Sequence, residues 1–119
     1  MRITLPLPPN MGNSRFHWRT ADRKKKEYWE LCRLHLISGR APRPPHTPPK
    51  VTGVRATLYL HSKMDRLDNI YSRLKWTWDW LVAWGYMAGD RGDQADWTEP
   101  PKQVIDRKNP RVEIELEPM

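Results

Sequence analysis

The chain has one cysteine, Cys32, in 119 residues. No internal disulfide can form, and the sequence reads as one built for a reducing, cytoplasmic compartment. Long apolar runs are missing, so neither a membrane span nor a signal peptide is expected. The histidines, His17, His35, His46 and His61, lack any zinc-binding spacing and read as surface or packing residues. Acid is in the minority: 14 Asp and Glu face 21 Lys and Arg, a net charge of +7. That balance suits a polyanionic partner, nucleic acid or an acidic membrane surface, although solubility alone can also account for it. No internal repeat is visible, and the length fits one domain over residues 1–119 with a single modest core.

Against this background five of the scarce acids crowd into one stretch, in and just after a run from Lys63 to Asp90. Asp65 and Asp68 open it, and Asp90 and Asp93 follow it in a region with Gly85, Gly89 and Gly92. Between them, Asn69 to Ala83 contains neither Pro nor Gly and reads as a helix that Asp68 or Asn69 can cap. Ile70, Leu74, Trp78 and Leu81 recur at helical spacing as the expected core face. Asp68, Lys75 and Asp79 fall on a polar edge of the same helix. Trp76, Trp80 and Trp84 make a second apolar stripe, more than a two-layer packing is expected to cover, and this stripe leads us to expect a homodimer.

The remaining elements follow in order. Arg2 to Leu7 alternates and reads as a strand, placed at a sheet edge by Pro6 and ended by Pro8 and Pro9. The next segment interleaves Arg15, His17 and Arg19 with Phe16 and Trp18. Two readings are open for it: a grip on a nucleic-acid strand by charge and stacking, or a loop whose aromatics cover the core. Thr20 to Ile37 reads as a helix with Tyr28, Leu31, Cys32 and Leu36 inward. Its first turns hold the basic cluster Arg23 to Lys26, either a phosphate contact or a solvated face. Residues 38–49, with Pro42, Pro44, Pro45, Pro48 and Pro49, form a stiff connector within the domain. Val54, Ala56, Leu58 and Leu60 mark a half-buried strand that delivers the chain to Asp65. Val104 and Ile105 begin another strand, Asn109-Pro110 marks a turn, and Val112, Ile114 and Leu116 face inward on the last strand. The expected fold is α+β, a small mixed sheet with two main helices packed on it.

Phosphodiester cleavage needs an activated water and a means of neutralising charge on phosphate and leaving oxygen, which carboxylate-held divalent ions supply. Asp65, Asp68 and Asp90 are the candidate carboxylates and Lys75 a candidate positioned cation; the structural alternative makes Asp68 a helix cap and Asp90 a turn residue. The motifs LPLPPNMGNSRFHWR, RLDN, LKWTWDWL and GYMAGD, followed by a closing β-hairpin, together resemble the RusA family of Holliday junction resolvases over nearly the whole chain. The resemblance implies a homodimer that binds four-way DNA junctions and cuts two strands symmetrically with Mg²⁺ or Mn²⁺, in DNA recombination and repair, in a bacterial or phage-infected cell. It assigns Asp68 in RLDN, Asp90 in GYMAGD and Lys75 in LKW to the active site. Arg66 stands where the family has a first Asp, so Asp65 is expected to take that place and Arg66 to contact phosphate. Gly89 precedes Asp90 where the family often has a second acid, and the central helix is about one turn longer than the family's common form. Arg15, Arg19, Lys24, Lys26, Lys63 and Arg66 are the expected DNA contacts. Two alternatives remain at this level: a RusA-like protein that binds branched DNA with little or no cleavage, and an unrelated basic nucleic-acid adaptor.

Overall fold

The computed structural model describes residues 1–10, 18–64, 67–89 and 96–118, with backbone alone at 67–69 and 118. The elements run β1 (Arg2–Leu5), α1 (Trp18–Ile37), β2 (Val51–Leu60), α2 (Leu67–Ala83), β3 (Lys102–Ile105) and β4 (Arg111–Pro118). They form the expected α+β fold, with a mixed four-stranded sheet in the order β1-β4-β2-β3. β4 pairs antiparallel with both β1 and β2, whereas β3 pairs parallel with β2. The expected closing hairpin is therefore not formed, because β2 lies between β3 and β4. The chain instead crosses the end of β2: Asp106 N–H bonds Leu60 O at 2.9 Å and Arg107 Nε donates to His61 O at 3.3 Å. β2, α2 and β3 make a βαβ crossover, so α2 starts where β2 ends and runs back along it.

Register sorts the sheet into two faces. Ile3 opposes Ile114, which opposes Ala56, and Leu5, Val112 and Leu58 line up in the next row, all buried. The alternate rows place Glu113, Glu115 and Glu117 of β4 on the other face. There Arg111 meets Glu113 at 3.2 Å, Arg2 meets Glu115 at 3.8 Å and Arg55 meets Glu117 at 3.0 Å. The helices pack on the apolar face, and the charged one is left to solvent. β1 is an edge strand, as Pro6 suggests, but ends at Leu5.

Both helices end in the same way. Gly39, at φ +81°, and Gly85, at φ +84°, take the left-handed conformation that a Cβ disfavours. Arg40 N–H returns to His35 O and Tyr86 N–H to Leu81 O, each at 2.9 Å, the Schellman arrangement. At its start α2 includes Asp68 and Asn69 in its first turn, so neither is the residue before the helix. Asp68 suits that place, because an acid there complements the helix dipole.

The core face of α2 differs from the expected one at three residues. Ile70, Leu74 and Leu81 are buried, but Thr77 and Trp80 join them, and Trp78 is only half-buried beside the core. Trp80 is fully enclosed and stacks on Trp84 at 5.5 Å and Tyr86 at 5.4 Å. The stripe Trp76–Trp80–Trp84 is thus interrupted by the protein's own core and gives no ground for a dimer. α1 covers part of the rest: Trp29 Nε1 donates to Trp76 O at 3.1 Å. On α1 the buried stripe is Tyr28, Cys32 and half-buried Leu36, while Leu31 is 49% exposed, contrary to expectation. Burial pushes the Cys32 thiol up to about 12, which disfavours the thiolate.

The two helices are joined by a buried hydroxyl pair. Tyr28 donates to Pro6 O and accepts from Thr77 Oγ1, both at 2.8 Å. Tyr28→Phe strands the buried Thr77 hydroxyl and removes the donor to the half-buried Pro6 O, and is expected to cost about 1–2 kcal/mol, lowering Tm by roughly 4–10 °C. A thermal melt within a degree of the unaltered protein contradicts this.

Candidate nucleic-acid interface

The acids narrow the search for a metal site. Of 14 in the chain, the side chains of Asp65, Asp68, Asp90 and Asp93 lie outside the described residues. The other ten are all engaged. Asp22 holds Lys26, Glu27 holds Arg23, Glu30 holds Arg33, Asp79 holds Lys25 and Glu99 holds Lys102. Glu115 and Glu117 pair across the open sheet face, and Asp96 accepts from the Trp97 N–H at 2.7 Å. Asp106 and Glu113 share Arg111, which stacks 3.7 Å over the Tyr59 ring. The Arg111 hydrogen bond holds the Asp106 carboxyl below the usual carboxylate range. Among the described residues no three potential ligands stand together. The three candidate carboxylates from sequence, Asp65, Asp68 and Asp90, are among the four whose side chains lie outside the described residues, and carboxylate oxygens suit Mg²⁺ or Mn²⁺.

The described backbone fixes where two of them begin. Gln103 of β3 grips Met64 from both sides: its Oε1 accepts from Met64 N–H at 2.7 Å and its Nε2 donates to Met64 O at 3.3 Å. Arg73 of α2 donates to Pro8 O at 2.7 Å, and its Nη1 lies 3.7 Å from Met64 Sδ. Burial lowers the Arg73 pKa, yet a guanidinium keeps its charge. One side chain thus ties the end of the N-terminal segment and the β2–α2 loop to α2, next to Asp65 and the first turn holding Asp68. Neither Gln103 nor Arg73 was expected from sequence. A polar residue in a short strand and a basic residue inside a helix carry no pattern that marks a backbone clamp.

Asp90 starts from elsewhere. Ala88 N–H bonds Pro49 O at 2.9 Å, so Gly89 leaves from the end of the fold where β2 begins. Asp65, Arg66 and Asp90 themselves lie outside the described residues, as does Arg15. The chain returns at Asp96, where Val54 N–H bonds Asp96 O at 2.8 Å and Thr98 N–H bonds Val54 O at 3.0 Å. There Trp97 reaches Tyr71, one helical turn beyond position 68.

The expected cations fall into two groups. Lys75 is exposed on α2 and makes no ion pair with any described residue; Asp79, its neighbour four positions on, is held by Lys25 of α1 at 3.7 Å. Lys63 is exposed on the β2–α2 loop. Lys26 is paired with Asp22 at 3.0 Å, but both are exposed, so a phosphate can displace that carboxylate at little cost. Arg19 lies 5.2 Å from the Trp18 ring at the start of α1, and Lys24 is on the same helix. Positions 68, 75 and 79 keep one side of α2, with Asp68 and Lys75 about 10 Å apart along the axis. Among the described residues no helix is long and apolar enough to cross a membrane. Compared with protein-family models and with curated proteins, the sequence matches none.

Gln103→Leu removes both bonds to Met64 and is expected to speed exchange of the Met64 amide proton at least tenfold, as a local opening. Unchanged exchange by NMR contradicts the clamp.

Proposed function

We propose that this protein is a metal-dependent endodeoxyribonuclease of the RusA kind, which binds four-way DNA junctions and resolves them by paired symmetric cuts in recombination and repair. The observation that carries the reading is Lys75, a cation with no ion pair to any described residue and seven positions from Asp68 on α2, in a chain whose described acids are all engaged elsewhere. The net charge of +7 adds the general attraction to DNA.

In this reading Asp65 and Asp68, which follow the end of β2, would hold Mg²⁺ or Mn²⁺, with Asp90, whose preceding segment is tied to the beginning of β2, as the third ligand the resemblance assigns; the ion would supply charge neutralisation at the scissile phosphate and a more acidic water. Gln103 and Arg73 restrict the loop that carries Asp65, so the carboxylates meet the phosphate with little reorganisation. Lys75 places its ammonium where charge develops on the phosphate oxygens. Arg15, Arg19, Lys24, Lys26, Lys63 and Arg66 bind the phosphate backbone and set orientation. Two symmetric cuts need two sites, so the proposed active form is a homodimer; light scattering at the protomer mass under cleavage conditions contradicts that form.

Asp68→Asn is expected to abolish cutting of a labelled four-way junction while binding stays equal or tightens, because a negative charge beside phosphate is lost. Binding lost in step with cleavage makes Asp68 a structural residue. Asp65→Asn on the same junction at saturating Mg²⁺ is expected to behave likewise, and cleavage at the wild-type rate removes Asp65 from the ligand set. Lys75→Ala breaks no described ion pair, so Tm is expected to hold within about 1–2 °C. Its single-turnover cleavage is expected to slow roughly a hundredfold. A large loss of stability at an unchanged rate refutes the catalytic role.

A further inference from the structure

Tyr71, Trp78 and Trp97 wall a groove of about 320 Å³ along α2, floored by Leu74 and bordered by Ser72, Lys75 and Asp79. Its size is at the low end for sites that take small ligands or parts of larger ones. Trp97 stands between the other two rings, 5.5 Å from Tyr71 at 63° and 4.9 Å from Trp78 at 48°. All three are half-buried, so aromatic surface remains open to the groove. Trp97 is also rigidly held: the backbone on both sides of it is bonded to Val54. Such a platform meets a ligand without losing much freedom of its own.

We propose that this groove is a nucleobase pocket, which takes one unpaired base of the bound nucleic acid by stacking on Trp97 and its neighbours. The charges around it choose the ligand. An aromatic cage can also take a quaternary ammonium, but Lys75 borders this one, and its single acid, Asp79, is already neutralised by Lys25 at 3.7 Å. A base followed by a phosphate fits both features, with the ring in the groove and the phosphate on Lys75. The groove lies on the same side of α2 as position 68, because residues 68, 71, 72, 75, 78 and 79 form one helical stripe. A base stacked on the open aromatic surface of Trp97 and its neighbours is therefore held within a nucleotide or two of a phosphate at position 68. Stacking accepts any base, so the pocket places an unpaired nucleotide without reading its sequence. The proposal rests on nucleic acid being the partner and adds the base subsite to it.

The test uses the full chain at about 50 mM salt, where phosphate binding is strong. Anisotropy measures its affinity for a 15-residue oligothymidylate and for the same sugar-phosphate chain with abasic sites at its centre. The intact protein is expected to bind the abasic strand about tenfold more weakly, the worth of one stacked base. Trp97→Ala is expected to lose the same tenfold on oligothymidylate and to bind both strands alike, while Trp97→Tyr keeps most of the difference. If Trp97→Ala does not fold by circular dichroism, Tyr71→Ala carries the same comparison. Equal binding of the two strands by the intact protein overturns the pocket, as does a Trp97→Ala loss that is the same on both. A trimethyl-lysine peptide that competes better than oligothymidylate overturns it in favour of a cation cage. No binding of either strand overturns the pocket and the nucleic-acid reading together. A four-way junction as competitor separates the two ideas: tight junction binding with no base effect removes only the pocket, and a base effect without junction preference removes only the junction assignment.

Discussion

The arrangement of this protein depends on the β2–α2–β3 crossover and on the grip of Gln103 at its turning point. A parallel pair of strands requires the chain to travel back along the sheet, and α2 makes that journey. Its first turn is thereby placed at the end of β2, and the Gln103 amide holds Met64 by both its N–H and its C=O. Without that clamp the loop before α2 has few fixed partners among the described residues. With it, Gln103, Met64 and Arg73 are tied together at one corner, in the segment that leads to the acids at 65 and 68.

The rest of the fold can be understood as support for that corner. The Tyr28 hydroxyl locks α1 to α2 through Thr77 and to the strand end through Pro6. The Schellman turn at Gly85 sends Tyr86 and Met87 into the core and returns the chain past Pro49. The open sheet face is filled with Arg–Glu pairs, which keep three glutamates of β4 occupied away from the helices. Among the described residues acidic charge is thus consumed locally, and Lys75 on α2 makes no ion pair with any of them.

Element order was readable in the sequence because period-2 and period-3.6 apolar patterns are strong in β2, β4 and both helices. Strand partners were not. A pattern says which face a strand buries but not which neighbour it takes, and the turn at Asn109-Pro110 suggested a hairpin that β2 prevents. The tryptophans misled in a related way. Equal spacing made Trp76, Trp80 and Trp84 look like one surface, yet Trp80 fills the core and Thr77 sits beside it to reach Tyr28. Of the candidate site, Asp65, Asp68, Lys75 and Asp90 stood out by residue type and motif. Gln103, Arg73 and Trp97 did not, because each acts through contacts between segments distant in sequence, 39 residues apart for Gln103 and Met64.

The central claim is the proposal that Asp65, Asp68, Asp90 and Lys75 cut branched DNA with the help of a divalent ion. Its most direct measurement is incubation of the unaltered protein with a synthetic four-way junction labelled on each strand in turn, with Mg²⁺ and with EDTA, beside a linear duplex of the same sequence. The account predicts paired cuts at symmetric positions in the junction with Mg²⁺, none with EDTA and little on the duplex. An intact junction in Mg²⁺ and in Mn²⁺, or equal cutting of the linear duplex, contradicts it.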